Sequence, residues 1–300
     1  MDSKNSLLII GGSGFIGRNL ISRLKDKYLI TSLSKNSSVD GVSNIHVDLA
    51  ETDFSFLEKE SFDAAVYLGT ISSPKEAEAK PQEAFHTNVI VVQKFLEKAR
   101  EVGIKKIILF SSAVLYTSSD AKSFKETDEV AKNSSIYNYS KYLLETLAEY
   151  YRVKHDMAVT VFRLSNTYGP GQNNARAPYL IPGMFEQALK NKKIEVWNTS
   201  PVRDWVFIED VVSVISKELK VAGGGIFNLG SGKGTSVGGV VEIVSKLTSV
   251  KYTNLDKPVN PPYHVVCDVN ELKKRINYIP DTSLTDGLKK SLEYYKDIYK

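Results

Sequence analysis

The stretch Leu7-Leu8-Ile9-Ile10 runs without a break into Gly11-Gly12-Ser13-Gly14-Phe15-Ile16-Gly17 and then into a segment of helical period. No other feature constrains the chain as much, because strand, glycine turn and helix in that order are what a phosphate-binding βα turn requires. Gly11 permits the tight turn, Gly14 lets backbone N–H groups approach a pyrophosphate, and Gly17 lets the helix close on the strand. The helix N-terminus then faces the anion, which places Phe15 and Ile16 in the same site. The spacing is GxxGxxG rather than the GxGxxG of many dehydrogenases, and a plain glycine-rich turn is the alternative.

The rest of the chain fits such a beginning. Leu7–Ile10, Leu29–Leu33, Ala64–Leu68, Ile107–Phe110 and Val159–Leu164 read as buried strands, and between them lie amphipathic stretches such as Arg18–Lys27 and Phe85–Val102. That alternation predicts an α/β fold, a Rossmann-type doubly wound parallel sheet covered by helices on both faces. From Tyr179 onward the pattern is patchier and punctuated by prolines, which suggests a smaller C-terminal, substrate-binding lobe. Residues 1–170 are expected to be mainly the dinucleotide-binding domain and 171–300 mainly the lobe, with about 204–230 returning to the sheet. Gly223–Gly225 reads as a turn before a strand at Ile226–Leu229, and Asp281–Lys300 as an amphipathic helix.

With 42% hydrophobic residues in 300, the chain can bury a core without metals or disulfides. Its one cysteine, Cys267, has no Cys or His cluster around it, so no metal site is expected and a reducing compartment fits. The polar start leads into a short apolar run, with neither a signal peptide nor a membrane span in view, so the expected location is cytoplasmic. A net charge of +4, with lysines scattered among glutamates, disfavours nucleic acid as a partner. An anionic small molecule is compatible with that charge.

About 20 residues after the first glycine, NAD sites usually carry an acid for the adenosine ribose. Here the region reads Leu33-Ser34-Lys35-Asn36-Ser37-Ser38, with hydroxyls and a lysine suited to a 2′-phosphate and no carboxylate. The cofactor is therefore NAD or NADP with a slight tilt toward NADP, although a solvated loop lysine explains Lys35 as well. Asp48, after the strand-like run Ile45-His46-Val47, is placed either to contact the adenine or to cap a helix. Leu49 beside it, with Leu68 at the end of the Ala64 strand and Gly69 after it, completes the expected dinucleotide contacts.

Tyr137 and Lys141 stand one helical turn apart in a segment running through Leu144, Leu147 and Tyr151, and so share a face. An ammonium beside a phenol lowers its pKa from about 10 toward neutrality, which suits reversible proton exchange with an alcohol or ketone. Taken alone, such a pair usually marks an ordinary surface helix. The strand Ile107–Phe110 changes that reading, because it ends in Ser111-Ser112 at the edge where open α/β sheets bind ligands. Ser112 can steady a reacting oxygen, or be a turn residue.

With these residues in place, the chain resembles the extended short-chain dehydrogenase/reductases, the NAD(P)-dependent nucleotide-sugar epimerases, dehydratases and reductases. Besides Gly11–Gly17 and Tyr137–Lys141, the resemblance rests on Ser111-Ser-Ala-Val-Leu-Tyr116, Arg163-Leu-Ser-Asn-Thr-Tyr-Gly-Pro170, Arg203-Asp-Trp-Val-Phe-Ile-Glu-Asp210 and Phe227-Asn-Leu-Gly-Ser231. It implies Ser112 as catalytic serine, Tyr137 as acid/base, and Lys141 as a ligand of the nicotinamide ribose. It further implies that Asn166 and Arg203 bind the nucleotide-sugar together with Ser112, Arg203 near the diphosphate. Without the resemblance, a local Arg203–Asp204 ion pair and a turn at Asn166 would be preferred.

Dehydratases and decarboxylases of that group carry an Asp or Glu just after the catalytic serine or threonine. Ala113 and Val114 stand there and cannot move a proton, which leaves 4-epimerisation or reduction of a 4-keto-sugar, with dehydrogenation by a free nicotinamide as a third form of the same step. The arginine that often holds the second phosphate is missing from Asn260-Pro-Pro-Tyr-His264, so either Tyr263 or His264 substitutes for it or the substrate is not a usual nucleotide diphosphate-sugar. A catalytically silent dinucleotide sensor or scaffold is the competing class, since fold does not dictate function. The resemblance also implies a homodimer built from the helices of Phe85–Val102 and Tyr137–Tyr151.

Overall fold

The computed structural model describes residues 4–117, 123–172, 178–259 and 262–299. In chain order the first elements are β1 (Ser6–Ile10), α1 (Phe15–Leu24), β2 (Leu29–Ser34), β3 (Ser43–His46), β4 (Ala64–Tyr67), α2 (Pro74–Ala79), α3 (Pro81–Phe85), α4 (Val91–Val102), β5 (Lys106–Ser112), α5 (Ile136–His155) and β6 (Ala158–Leu164). They continue as β7 (Asn166–Tyr168), α6 (Leu180–Glu186), β8 (Ile194–Val196), β9 (Val202–Phe207), α7 (Ile208–Glu218), β10 (Gly225–Leu229), β11 (Gly234–Ser236), α8 (Val237–Thr248), β12 (Tyr252–Asn254), β13 (His264–Val265), α9 (Asn270–Ile276) and α10 (Leu284–Ile298). Two compact units result, one of Met1–Leu115, Ala131–Arg163 and Ile215–Phe227, the other of Tyr116–Val130, Leu164–Val214 and Asn228–Lys300.

In the first unit, successive residues of β1 point to opposite faces, yet Leu7, Leu8, Ile9 and Ile10 are all buried. A strand apolar on both faces must be covered on both, and this is why the sequence runs apolar instead of alternating. The seven-stranded sheet has the order β10-β6-β5-β4-β1-β2-β3, with β3, β2, β1, β4 and β5 paired in parallel. It is the doubly wound Rossmann-type sheet expected from the alternation, with the direction of winding reversing between β1 and β4. On one face Leu8, Ile10, Leu109 and Val161 pack with Val92, Phe95 and Leu96 of α4 and Leu144 and Ala148 of α5. Phe95 meets Phe54 edge-on at 5.5 Å and Tyr67 at 5.1 Å between ring centroids.

Two expectations need correction. The strand expected over Ala64–Leu68 stops at Tyr67, because Leu68 begins the turn that passes over the glycine loop. The helix expected over Phe85–Val102 is not one α-helix: α3, started by Pro81, gives way to a π-helical stretch at His86–Ile90 before α4 begins. The wider turn carries Asn88, fully buried, whose amide bonds the backbone of Ile71 and the hydroxyl of Ser140. Such insertions recur where a helix must satisfy a neighbour instead of its own ladder. Elsewhere the elements differ from expectation only in their ends: α5 extends to His155, and α10, capped by the Ser283 hydroxyl, begins at Leu284.

The second unit holds a four-stranded sheet in which β9 pairs β11, β13 and β7, and a two-stranded pair of β8 and β12. Asp204 of β9 is fully buried and organises it, accepting from the N–H groups of Ser231, Gly232 and Cys267 and from the Ser231 hydroxyl. Burial still pushes its carboxyl above the ordinary carboxylate range. Among the described residues no helix is long and apolar enough to cross a membrane.

Candidate active site

The glycine loop joins β1 to α1 at the sheet's reversal point. Gly11 sits at φ +83°, and a Cβ there would lie 3.0 Å from the carbonyl carbon of Leu68, so the loop and Leu68–Gly69 meet backbone to backbone. A Cβ on Gly17 would come within 2.5 Å of the Gly11 oxygen, so only glycine lets α1 start this close to the strand. Gly14 occupies the N-cap of α1 with no side chain to cap it. The first turn, Phe15, Ile16 and Gly17, thus presents backbone N–H groups and the positive end of the helix. A loop with glycine at three of its four positions, before a helix with no side-chain cap, fits the pyrophosphate of a dinucleotide.

The residues expected around the adenosine end are close together. Ser34 is buried and its hydroxyl accepts from the Ser13 N–H at 3.1 Å. Lys35 pairs with Asp48 at 2.5 Å, an exposed contact that raises the lysine pKa and lowers that of the carboxyl. Asp48 also accepts from the Ala50 N–H at 3.1 Å, and Leu49 packs its Cδ1 against Gly69.

The expected catalytic residues gather at the C-terminal end of β5. Lys141 is fully buried, and its Nζ donates to the Phe110 carbonyl and the Thr70 hydroxyl, each at 2.9 Å. Burial pulls its pKa from 10.5 to about 7, opposed by the Glu145 carboxylate one turn on. The same Nζ lies 5.9 Å from the centre of the Tyr137 ring. Tyr137 packs with Ala77, Ala84, Ile71 and Val114, and the neighbouring Asn138 amide donates to the Val114 carbonyl at 3.2 Å. Ser112 closes the group: its Oγ accepts from the Val114 N–H at 3.2 Å, which leaves the hydroxyl proton for another acceptor.

Within the second unit, Asn166 and Arg203 line one cavity of about 260 Å³, together with Leu180, Trp197, Asn198, Pro201, Trp205, Val237 and Val259. The guanidinium donates to three backbone carbonyls, those of Val202, Tyr263 and Pro262, at 2.8–3.0 Å. No carboxylate pairs with it among the described residues, and Asp204 is engaged with Ser231, Gly232 and Cys267 instead. Asn166 donates weakly to the Asp204 carbonyl at 3.4 Å. Of the segment where a second arginine was sought, Asn260 and Pro261 lie outside the described residues. Tyr263 is half exposed, with its hydroxyl on the Val259 carbonyl, and His264 begins β13.

Residues 7–230 match the model of the NAD dependent epimerase/dehydratase family. The chain belongs to that family. A dTDP-4-dehydro-6-deoxyglucose reductase from Escherichia coli is 25% identical over 97% of each chain, and a UDP-glucuronate 4-epimerase from Thermodesulfobacterium geofontis is 25% identical over 97% of this chain and 96% of its own. A UDP-glucose 4-epimerase from Thermotoga maritima, solved with UDP-glucose, superposes with a TM-score of 0.92 at 22% identity, covering 98% of this chain and all of the other.

For this member of the epimerase/dehydratase family, two residues around Lys141 escaped the sequence reading. Thr70 receives one of its hydrogen bonds, and Asn88 ties the Ile71 backbone to Ser140 beside it. Neither stands in a recognisable pattern, and their contacts to α5 cross 52 and 71 residues of chain. A polar residue inside the apolar stripe of Phe85–Val102 was the one available hint, since a buried amide must find partners.

Proposed function

We propose that this protein reduces the keto group of a 4-keto-sugar carried on a nucleoside diphosphate. The observation that carries the reading is the end of β5, where the Ser112 hydroxyl is committed to no acceptor among the described residues, a fully buried lysine stands beside Tyr137, and Ala113 and Val114 supply no further acid or base. The bound dinucleotide supplies the hydride. Tyr137 gives its phenolic proton to the oxygen being reduced, while the Ser112 hydroxyl donates to the same oxygen and fixes it. The charge on Lys141 makes the phenol a stronger acid. Asn166 and Arg203 are assigned to the nucleotide-sugar, Arg203 to its diphosphate, because a cation held by carbonyls on a cavity wall has charge to spare for an anion.

The reductase among the relatives supports this direction of reaction. A second reading, 4-epimerisation, draws on the 4-epimerases of similar sequence and fold. For the cofactor we favour NADPH, with Lys35 exchanging Asp48 for a 2′-phosphate, in a cytoplasmic homodimer.

The deciding experiment has two parts. Nucleotides released on denaturing the purified protein are identified by mass spectrometry, and oxidation of NADPH and NADH is then followed with dTDP-4-dehydro-6-deoxyglucose. An empty protein that oxidises NADPH supports the reductase; stoichiometric tightly held NAD with no net oxidation replaces it by the epimerase. Tyr137→Phe is expected to lower turnover by about 10²–10⁴-fold while leaving dinucleotide affinity within a few-fold. Undiminished turnover in that variant would remove Tyr137 from the chemistry.

A further inference from the structure

Each turnover of the proposed reduction takes one proton from Tyr137, and that proton must be replaced from water. The lysine that flanks the phenol is itself sealed off, with only 1% of its surface exposed. Its two hydrogen-bond partners differ in what they can do. The Phe110 carbonyl can only accept, so it holds the ammonium but can never return a proton to it. The Thr70 hydroxyl both accepts and donates. Thr70 is also partly exposed, and among the described residues its own proton is committed to no acceptor. Two residues beyond Leu68, it stands on the turn that the Asn88 amide fixes through both polar groups of Ile71.

We propose that Thr70 is a positioning residue for Lys141 and the gate through which solvent protons reach it. The inference rests on the oxidoreductase reading above. In the resting state Lys141 donates to Thr70 Oγ1. When the phenol has given its proton to the reduced oxygen, the phenolate takes one from the ammonium, leaving a neutral amine. The bond to Thr70 then reverses: the hydroxyl gives its proton to the amine Nζ and takes one from water. One hydride and one solvent proton are consumed per keto group, and every group returns to its starting state. Among ionisable groups, Tyr137 and Glu145 on α5 face Lys141, and Glu145 is neutralised by a bidentate pair with Arg163 of β6, so neither replaces the hydroxyl as a path to water.

Lysine labelled with ¹⁵N at Nζ allows the group to be titrated by NMR in the protein without substrate, with Lys141→Met identifying its signal. Thr70→Val keeps the shape and removes the hydroxyl; Thr70→Ser keeps the hydroxyl. Loss of an acceptor from the ammonium is expected to lower the Lys141 midpoint by about one pH unit in Thr70→Val and hardly at all in Thr70→Ser. In turnover, Thr70→Val is expected to lose about tenfold in kcat or more, with a larger solvent deuterium isotope effect and an unchanged KM for the dinucleotide; Thr70→Ser restores both. An unmoved midpoint together with an unmoved isotope effect in Thr70→Val overturns the proposal, even where Tyr137→Phe abolishes turnover. A shifted midpoint with full turnover in Tyr137→Phe instead sinks the reductase reading and leaves the Thr70–Lys141 link standing.

Discussion

A lysine buried as deeply as Lys141 is costly to fold, and that cost sets it apart from the other lysines of the chain. Its pKa is drawn from 10.5 to about 7, so folding disfavours its charged form. Between pH 7 and about 10 the unfolded chain holds the proton more firmly than the folded one, so stability from this group rises with pH across that window. Below pH 7 both states are protonated and the full penalty applies. Lys141→Met is therefore expected to unfold at higher urea concentration than the parent at pH 6, with the difference shrinking steadily toward pH 10. A difference independent of pH in paired urea titrations would mean that the lysine pays no charge penalty. The same residue illustrates what sequence discloses at this scale. Helical spacing puts Tyr137 and Lys141 on one face, but such a pair by itself marks an ordinary surface helix; the strand end at Ser111-Ser112 and the family resemblance are what make the three candidate residues legible. Thr70 is not, because its role exists only once β4 and α5 are brought side by side.

At the scale of elements, α5 is held in place by polar groups at four heights. Asn138 bonds the Val114 carbonyl near its start, Ser140 receives the Asn88 amide, and Glu145 clasps Arg163 in a buried bidentate pair. Further along, the Tyr151 hydroxyl donates to Glu97 of α4 at 2.9 Å. Alternation of apolar runs foretold the sheet and the existence of these helices, since each buried strand demanded a cover. It could not foretell the π-helical stretch at His86–Ile90, whose backbone departs from the α-helix to turn one amide inward. Asn88→Ala is expected to destabilise the protein by about 2–4 kcal/mol, because the Ile71 N–H and carbonyl lose their partner inside the protein. The variant should also lower kcat more than its residual folded fraction explains, as the turn bearing Thr70 loosens. Chemical denaturation and turnover measured on the same preparation test both parts; a loss of stability without any loss of kcat per folded molecule would confine Asn88 to a structural role.

For the molecule as a whole, the outward side of α5 raises a question that the chemistry leaves aside. Val153 is 71% exposed, Tyr150 53% and Tyr139 41%, all on this one helix, and Ile90, the last residue of the π-helical stretch before α4, is 38% exposed. Scattered exposed apolar residues need no explanation, but several along one helix next to another suggest a shared seam. In the sequence these residues look like any amphipathic stripe, because periodicity shows which residues lie together and never what covers them. A homodimer joining α4 and α5 of two copies would bury them in a four-helix packing, an isologous contact in which each residue meets its own symmetry mate's neighbourhood. A stable interface of this kind removes about 1,200–2,000 Å² from water, far more than one side chain provides, so a single neutral truncation should hardly matter. A charge is different. Val153→Glu places one carboxylate from each copy near the seam, where like charges meet with little water to screen them. Sedimentation velocity at micromolar concentration should give twice the 33.4 kDa chain mass for the parent and a shift toward the monomer for Val153→Glu, with Val153→Ala remaining dimeric. A monomeric parent would reduce these side chains to ordinary surface, and a dimer indifferent to the glutamate would move the interface to another face.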